Sequence, residues 1–452
     1  MIFWNLERVA SALGDSTARR HPRGNSELSG ITTDSRNVTP GQLFIALTGE
    51  NFDGHDYVAQ SVEKGAAAVV VSKPVDEQAL GVPVYLVPDS LVALGTLANY
   101  YRRAWGGPVV MVAGSNGKTT TKDLIRAALS QAMKVHATTG NLNNRIGVPL
   151  TLLSIPPGAE IAVVEAGTNL PGEVAILRDI MDPDISVVTS IGDEHLEGLG
   201  DLAGVLEEES AAFDGVRIAI TPAAQPEIAA AAHGKALEVI TAGLDEGDIH
   251  PDSWTITPDG IGTLVFDKVS ITPPLRGLHN LRNTMLAIGV AHACGVSDRI
   301  ASSGIQAMPA PKMRVAWERI GQATLINDAY NANPGSTRAA IDIIKGVGRG
   351  RQRVIVLGTM RELGEASRRC HDDISELALA AGADLVAGVG EFAESLERIG
   401  KGDQRVVTSQ TVAGLWPILE PRLDRDAVIL LKASRGVQLE QLVPHITTWA
   451  NT

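Results

Sequence analysis

The chain is poor in cysteine, in positive charge and in long apolar runs, and each shortage closes a class of explanation. Two cysteines, Cys294 and Cys370, lie far apart in sequence. They make neither a metal spacing nor a disulfide framework, so a reducing, cytoplasmic setting is expected, with both thiols buried or inert. With 39 basic against 52 acidic residues the net charge is −13, which argues against general affinity for nucleic acid or anionic membrane. No apolar run approaches membrane-spanning length, and the start, Met1 to Arg8, lacks a basic segment followed by an apolar one. A soluble protein without membrane insertion is expected. Low-complexity segments and short-period repeats are also missing. At 452 residues the chain exceeds one comfortable core, and a prior of ~150 residues per domain suggests about three domains.

What is present centres on Val109-Val110-Met111-Val112-Ala113-Gly114-Ser115-Asn116-Gly117-Lys118-Thr119-Thr120. An apolar β-branched run meets a glycine-containing turn ending in Gly-Lys-Thr. Leu124, Ile125, Ala128, Leu129, Ala132 and Met133 then recur at helical spacing, giving strand, turn and helix, with the helix N-terminus facing the turn. Backbone N–H groups of Gly114 to Lys118 can wrap phosphate oxygens, Lys118 can neutralise the outer phosphates, and Thr119 can ligate magnesium. Val112 stands where the long Walker spacing needs glycine, so only the tighter Gly-x-x-Gly-Lys-Thr form is present. Nucleotide binding is expected.

Residues 1–83 mix short β-type runs, Leu43 to Leu47 and Ala67 to Val71, with turns and a helical pattern near Tyr57 to Lys64, a small α/β unit. Its polar clusters, Thr33 to Arg36 and Gly49 to Asp56, are ordinary turn compositions. Residues 84–312 alternate strand and helix, implying a mostly parallel sheet covered on both faces. Strand ends then become the places to look. Ile161 to Val164 ends in Glu165, and Ile185 to Thr189 runs into Gly192-Asp193-Glu194-His195. Glu165 and His195 could join Thr119 around magnesium and phosphates. Trp254 to Phe266 reads as a β-hairpin around Pro258-Asp259-Gly260. Asn280 could cap an Ala-rich helix, and Asn283 on its first turn could offer an amide to a purine. Prolines mark a boundary at Met308 to Lys312. Residues 313–452 repeat the alternation, with strands expected at Arg353 to Leu357, Leu385 to Val389 and Ala427 to Leu431 and no phosphate loop. Polar constellations there are Asn327 to Pro334, Gly358 to Gly364, and Lys432 to Arg435, whose cations could receive carboxylate or phosphate.

Together these stretches resemble the Mur ligases, ATP-dependent amide-bond-forming enzymes of peptidoglycan precursor synthesis, almost end to end. The resemblance is carried by Asn141-Leu142-Asn143-Asn144-Arg145-Ile146-Gly147, Glu165-Ala166-Gly167-Thr168-Asn169 with Gly172-Glu173, His195-Leu196-Glu197-Gly198, Tyr330 to Pro334, and Met360 to Gly364 with His371. It implies three α/β domains: an N-terminal UDP-sugar-binding domain, a central P-loop ATPase-like parallel-sheet domain and a C-terminal Rossmann-like domain. The motifs fit best the member that joins D-alanyl-D-alanine to UDP-N-acetylmuramoyl tripeptide through an acyl phosphate, releasing ADP and phosphate. The resemblance assigns Ser35, Arg36, Asp53, Gly54, His55, Asn141, Asn143, Asn144, Asn331, Asn333 and Ser434 to the substrates. It assigns Gly114, Ser115, Asn116, Gly117, Lys118, Thr119, Thr120, Asn283, Arg314, Asp328 and Tyr330 to ATP. Magnesium falls to Thr119, Glu165 and His195, and the reaction itself to Lys118, Glu165, His195, Lys432 and Arg435. A monomer is expected.

One departure is informative. Counted from His195, the place that relatives fill with a carbamylated lysine is Glu209, so a glutamate is expected to supply the acidic group to a second magnesium without carbon dioxide. The plainer reading makes Glu207 to Glu209 a charged helix face. Smaller departures, Thr359 and Asn327, stand where relatives often have acids and bear on the incoming amine. The alternatives are another Mur or folylpolyglutamate-type ligase, which the Met-x-Glu-Leu-Gly stretch disfavours, and a nucleotide-binding regulatory homologue that has lost catalysis.

Overall fold

The computed structural model describes residues 3–14, 26–309, 313–348 and 350–452; Met1, Ile2 and the boundary residues Ala310 to Lys312 lie outside them. Residue contacts divide the chain into two compact units. One comprises Met1–Val109, His136–Ala166 and Ile176–Pro183; the other comprises Val110–Val135, Gly167–Ala175 and Asp184–Thr452.

In the first unit β1 (Gly30–Thr32), β2 (Gln42–Ile45), β3 (Ala68–Val71) and β4 (Val84–Leu86) form a parallel sheet in that order. The Ala-Val-Val-Val run of β3 is buried throughout, as a strand covered on both faces must be. The expected helix is Val58–Glu63, entered through a 3-10 turn over Gly54–Tyr57. A longer helix, Ser90–Trp105, starts where Asp89 accepts the N–H groups of Leu91 and Val92 and stops at Gly106 in the left-handed region, the usual chemistry of both ends. This unit also holds most of β6 (Val135–Ala137) and all of β7 (Ile161–Glu165), the latter entirely buried and ending in Glu165.

In the second unit β5 (Val109–Ala113), apart from Val109, pairs with β8 (Ile185–Val188), β8 with β9 (Ile218–Pro222) and β9 with β10 (Glu238–Ala242), all parallel. The hairpin expected around Pro258-Asp259-Gly260 is present as β11 (Ser253–Ile256) and β12 (Gly262–Phe266), and a third antiparallel strand, β13 (Val269–Ile271), joins it. The C-terminal sheet runs β14 (Ala316–Ile320), β15 (Ala323–Asp328), β19 (Val428–Lys432), β16 (Arg353–Gly358), β17 (Leu385–Val389) and β18 (Val406–Ser409). Every pair is parallel except β14 with β15. Side chains alternate across it: Leu325, Val354, Val356, Ile429 and Leu431 feed one core, and Ile326, Ile355, Leu357 and Leu430 feed the other. Both faces are therefore sealed, and chemistry is confined to the carboxyl ends of the strands.

Asn280 does not cap the helix that follows β13. That helix, Leu278–Ala293, begins after Gly277, and Asn280 lies inside it, its amide donating to the Arg276 carbonyl. Gly277, at φ 95°, makes the turn that a capping side chain was expected to make.

Candidate active site

The phosphate loop leaves β5 at Ala113 and enters the helix Lys118–Leu129. Gly114 has φ 113°, and a Cβ there would come within 2.4 Å of Thr189 Oγ1, so only glycine fits. Gly117, at φ 85°, precedes the helix, which no side chain caps. A helix start of this kind suits an anion. The loop is braced by the segment after β8: Ser115 N donates to Ser190 O at 2.8 Å, Asn116 N to Ser190 Oγ at 3.1 Å, and Thr189 Oγ1 to Asn116 O at 2.6 Å. Lys118 Nζ donates to the Gly114 and Ser115 carbonyls and stands 3.6 Å from Glu194. Asn283, buried, packs its amide against Gly117. Thr120 opens the same helix.

His195 sits at φ 53° after β8. Its Nε2 is 3.4 Å from Glu194 and its Nδ1 2.6 Å from Glu362. Burial pulls its pKa down, but the two carboxylates outweigh burial and hold it at about 9. Glu362 is itself at φ 65°, so two strained non-glycine residues face each other, a condition that clusters at working sites. Glu209 is 2% exposed and accepts the Gly114 N–H at 2.7 Å. Burial pushes its carboxyl up to about 7, against the pull of Lys118 and of that N–H. The charged-face reading holds for Glu207 alone: Glu208 is buried too, accepting from Gly172 N at 2.6 Å, Val174 N at 2.7 Å and Thr168 Oγ1 at 3.0 Å.

The C-terminal constellations gather in the same unit. Arg314, between Met313 at φ 55° and Val315 at φ 53°, donates to Thr119 Oγ1 at 3.0 Å and stacks on Tyr330 at 4.3 Å. Asp328 accepts from Val315 N and pairs with the buried Lys432 at 2.7 Å. Asn333 caps the helix Pro334–Gly346 and donates to Asn116 Oδ1 at 2.8 Å. Ser434 Oγ accepts from Arg361 N and donates to the Ala332 carbonyl. His371, buried, accepts the Met360 N–H at Nε2 and donates from Nδ1 to the Ser367 carbonyl. A cleft of about 190 Å3 opens here, lined among others by Glu194, Asn331, Arg361, Glu362, Ser434 and Arg435. Two guanidinium groups and two carboxylates around amides and a hydroxyl suit a zwitterion.

The remaining candidates belong to the first unit. Glu165, 3% exposed, accepts from Asn143 Nδ2 at 2.9 Å. Asn144 accepts the Ile146 and Gly147 N–H groups, and the Asn141 carbonyl accepts from Asn143 N. Arg36 is engaged by Asp34 at 2.8 and 2.9 Å, and Lys64 donates to the Ser35 carbonyl. Asp53 accepts from His55 N and lies 2.6 Å from Nδ1, while Nε2 accepts from Ser72 N at 2.9 Å. Both ring nitrogens are thus used within the protein. A Cβ on Gly54 would strike the Leu47 backbone.

Sequence reasoning missed Glu194, Glu208, Arg361 and Glu362 as site residues. The Met360 to Gly364 stretch was visible as a motif; nothing in an acidic run tells which carboxylates are buried.

Among the described residues no three or more His, Cys, Asp and Glu side chains gather to hold a metal unaided. Magnesium travelling with a triphosphate keeps water and phosphate oxygens and needs few protein ligands. A threonine hydroxyl at a helix start and single carboxylates meet that requirement.

Comparison with known proteins bears on all three stretches. The Mur ligase family, catalytic domain, matches residues 27–102, the Mur ligase middle domain 112–291, and the Mur ligase, glutamate ligase domain, 313–435. The UDP-N-acetylmuramoyl-tripeptide--D-alanyl-D-alanine ligase of Bacillus subtilis is 34% identical over 92% of both chains. That of Escherichia coli is 33% identical over 92% of this chain and 93% of its own. Among solved structures, MurF from Acinetobacter baumannii superposes with TM-score 0.89 at 29% identity, covering 98% of this chain and 99% of that one. MurF ligase from Thermotoga maritima in complex with ADP gives 0.84 at 25%, covering 93% and 98%. With a braced phosphate loop and relatives aligned along nearly its whole length, the chain belongs to the Mur ligase family.

Proposed function

We propose that this chain is an ATP-dependent amide-bond ligase that adds D-alanyl-D-alanine to UDP-N-acetylmuramoyl tripeptide in peptidoglycan precursor synthesis. One observation carries the reading: a phosphate loop and a cleft of paired guanidinium and carboxylate groups lie in one compact unit, which provides for a triphosphate and for a zwitterionic acceptor. The names of the aligned relatives support the same acceptor.

The chemistry runs in two steps. The terminal carboxylate of the UDP-linked peptide attacks the γ-phosphorus of ATP, giving an acyl phosphate and ADP. The dipeptide amine, having lost a proton, then attacks the acyl carbon, and phosphate leaves through a tetrahedral intermediate. No side-chain nucleophile is needed, so the protein positions groups and neutralises charge. Gly114 to Thr120 and Lys118 take the phosphates; Asn283, Arg314, Asp328 and Tyr330 serve the nucleotide. Arg361, Arg435, Ser434, Asn331 and Asn333 receive the acceptor, with Lys432 behind them. Ser35, Arg36, Asp53, Gly54, His55, Asn141, Asn143 and Asn144 serve the UDP-sugar peptide. Magnesium, when bound, supplies charge neutralisation on the phosphates. Thr119 would hold it beside the phosphates, with Glu165 proposed as a further carboxylate ligand; Glu209, in place of a carbamate, and His195, once it gives up its proton, would hold a second. The proposed domains are 1–83, 84–312 and 313–452, in a cytoplasmic monomer.

The test is phosphate release from ATP with both substrates, with each omitted in turn, and at low and raised bicarbonate. Release that needs both substrates and ignores bicarbonate is expected. Tight ATP binding with no release at either bicarbonate level would instead indicate a regulatory homologue or a different acceptor.

A further inference from the structure

The helix Leu202–Ser210 ends in two adjacent buried carboxylates that reach different loops. Glu209 accepts the N–H of Gly114 in the phosphate loop. Glu208 turns the other way, to the loop that follows Glu165 in sequence: Oε1 accepts from Val174 N and Thr168 Oγ1, and Oε2 from Gly172 N. Glu173 closes the same loop from its far side, accepting from Asn169 N at 2.8 Å and Leu170 N at 3.1 Å. The loop in turn supports the turn that carries His195, because a Cβ on Gly198 would come within 2.1 Å of the Asn169 carbonyl oxygen.

We infer that Glu208 is a positioning residue for the ligation step, and that with Glu209 it forms a two-pronged bracket fixing the Thr168 to Gly172 loop and the phosphate loop at a set spacing. Successive residues on a helix point about 100° apart, so one helix end can address two loops with neighbouring side chains. Two backbone N–H groups and the Thr168 hydroxyl, which also lies 3.0 Å from the Leu170 carbonyl and 3.4 Å from Glu173, converge on Glu208, and none of its bonds needs it to donate. An ionised carboxylate satisfies that set, and a glutamine, whose amide nitrogen would face one of the donors, does not. Glu209 faces a single backbone donor, which a glutamine oxygen can still meet. The two neighbours therefore differ in what they tolerate. The kinetic part of this inference rests on the ligase reading; the exchange part does not.

The experiment compares E208Q, E209Q and E207Q in the full chain by amide exchange without ligands and by steady-state phosphate release. E208Q is expected to speed exchange at Gly172 and Val174 on the order of tenfold. It should lower kcat on the order of 10- to 100-fold and leave the KM for ATP within about twofold of the parent. E209Q should leave exchange at Gly172 and Val174 unchanged. E207Q, at the exposed member of the run, should match the parent in both readouts. A parental kcat for E208Q, unchanged exchange at both amides, or a KM for ATP that rises as far as kcat falls would overturn the inference. If E208Q does not fold, T168V, which removes one donor and keeps the backbone pair, decides: kcat should fall about threefold, and a parental kcat overturns the inference. A parent that releases no phosphate refutes the ligase reading, while the exchange contrast still tests the bracket.

Discussion

Glu209 is the most exacting test of the electrostatics, because it is buried and its pKa is moved a long way. An ordinary carboxyl titrates near 4.5, and burial raises this one to about 7; the gap corresponds to about 3 kcal/mol of proton affinity. In the unfolded chain the group ionises first. Between those two values the folded protein holds the extra proton, so stability falls as pH rises and the full cost stands above pH 7. E209Q keeps an acceptor for the Gly114 N–H and never ionises. Urea denaturation of parent and variant in magnesium-free buffer should find them within about 1 kcal/mol at pH 5, with the variant about 3 kcal/mol more stable at pH 8. A difference that does not grow between pH 5 and pH 8 would refute the assignment of a carboxyl whose ionised form is penalised by burial.

Removing the Glu362 carboxylate with E362A should let the His195 pKa fall from about 9 toward its ordinary value, since one of the two carboxylates that raise it is gone and Glu194 remains; imidazole NMR titration, assigned with H195Q, reads this. N333A removes both the capping box of Pro334–Gly346 and the bond to Asn116, and chemical denaturation should report a loss of about 1–2 kcal/mol. His371 is kept neutral by burial, and its acceptor nitrogen holds the Met360 N–H. The unfolded chain takes up that proton first as pH falls, so His371's contribution is intact above the ordinary histidine range and lost below it. Amide exchange at Met360, corrected for intrinsic rates, should lose protection from pH 7 to pH 5 in the parent and show no such loss in H371Q.

Strand ends were readable where composition allowed little else. Val109 to Ala113 and Leu385 to Val389 are unbroken apolar runs rich in valine, and both are strands over those residues. The helix after β13 was misread at its start because Asn280 has the composition of a cap while a positive-φ glycine does the turning. The phosphate loop was legible since each residue type there answers a local requirement. The acidic run was not: Glu207, Glu208 and Glu209 are identical in sequence, and only the loops that come to meet them separate a solvated carboxylate from two buried ones. Likewise Glu362 and His195 are distant in sequence, and their approach to 2.6 Å follows from the seating of the Met360 to Gly364 loop by His371 and Ser434.

These contacts bear on how a polyanion enters a site already furnished with buried carboxylates. Lys118 is folded back on its own loop, bonded to the Gly114 and Ser115 carbonyls and close to Glu194. A phosphate can use that ammonium only by drawing it away from Glu194, which is 7% exposed and would be costly to leave without a counter-charge. His195 is the group in reserve: it lies 3.4 Å from Glu194 and, held at about 9, carries its proton at neutral pH. At such distances and an effective dielectric near 20, each charge pair is on the order of 4 kcal/mol, so exchanging one partner for another is nearly neutral where losing one is not. The same sum disfavours bare ATP, whose charge would meet both Glu194 and Glu209, and favours a nucleotide arriving with its cation. Lys118 and His195 thus form one compensating pair around Glu194, in which His195 can keep the carboxylate compensated as a phosphate draws Lys118 away.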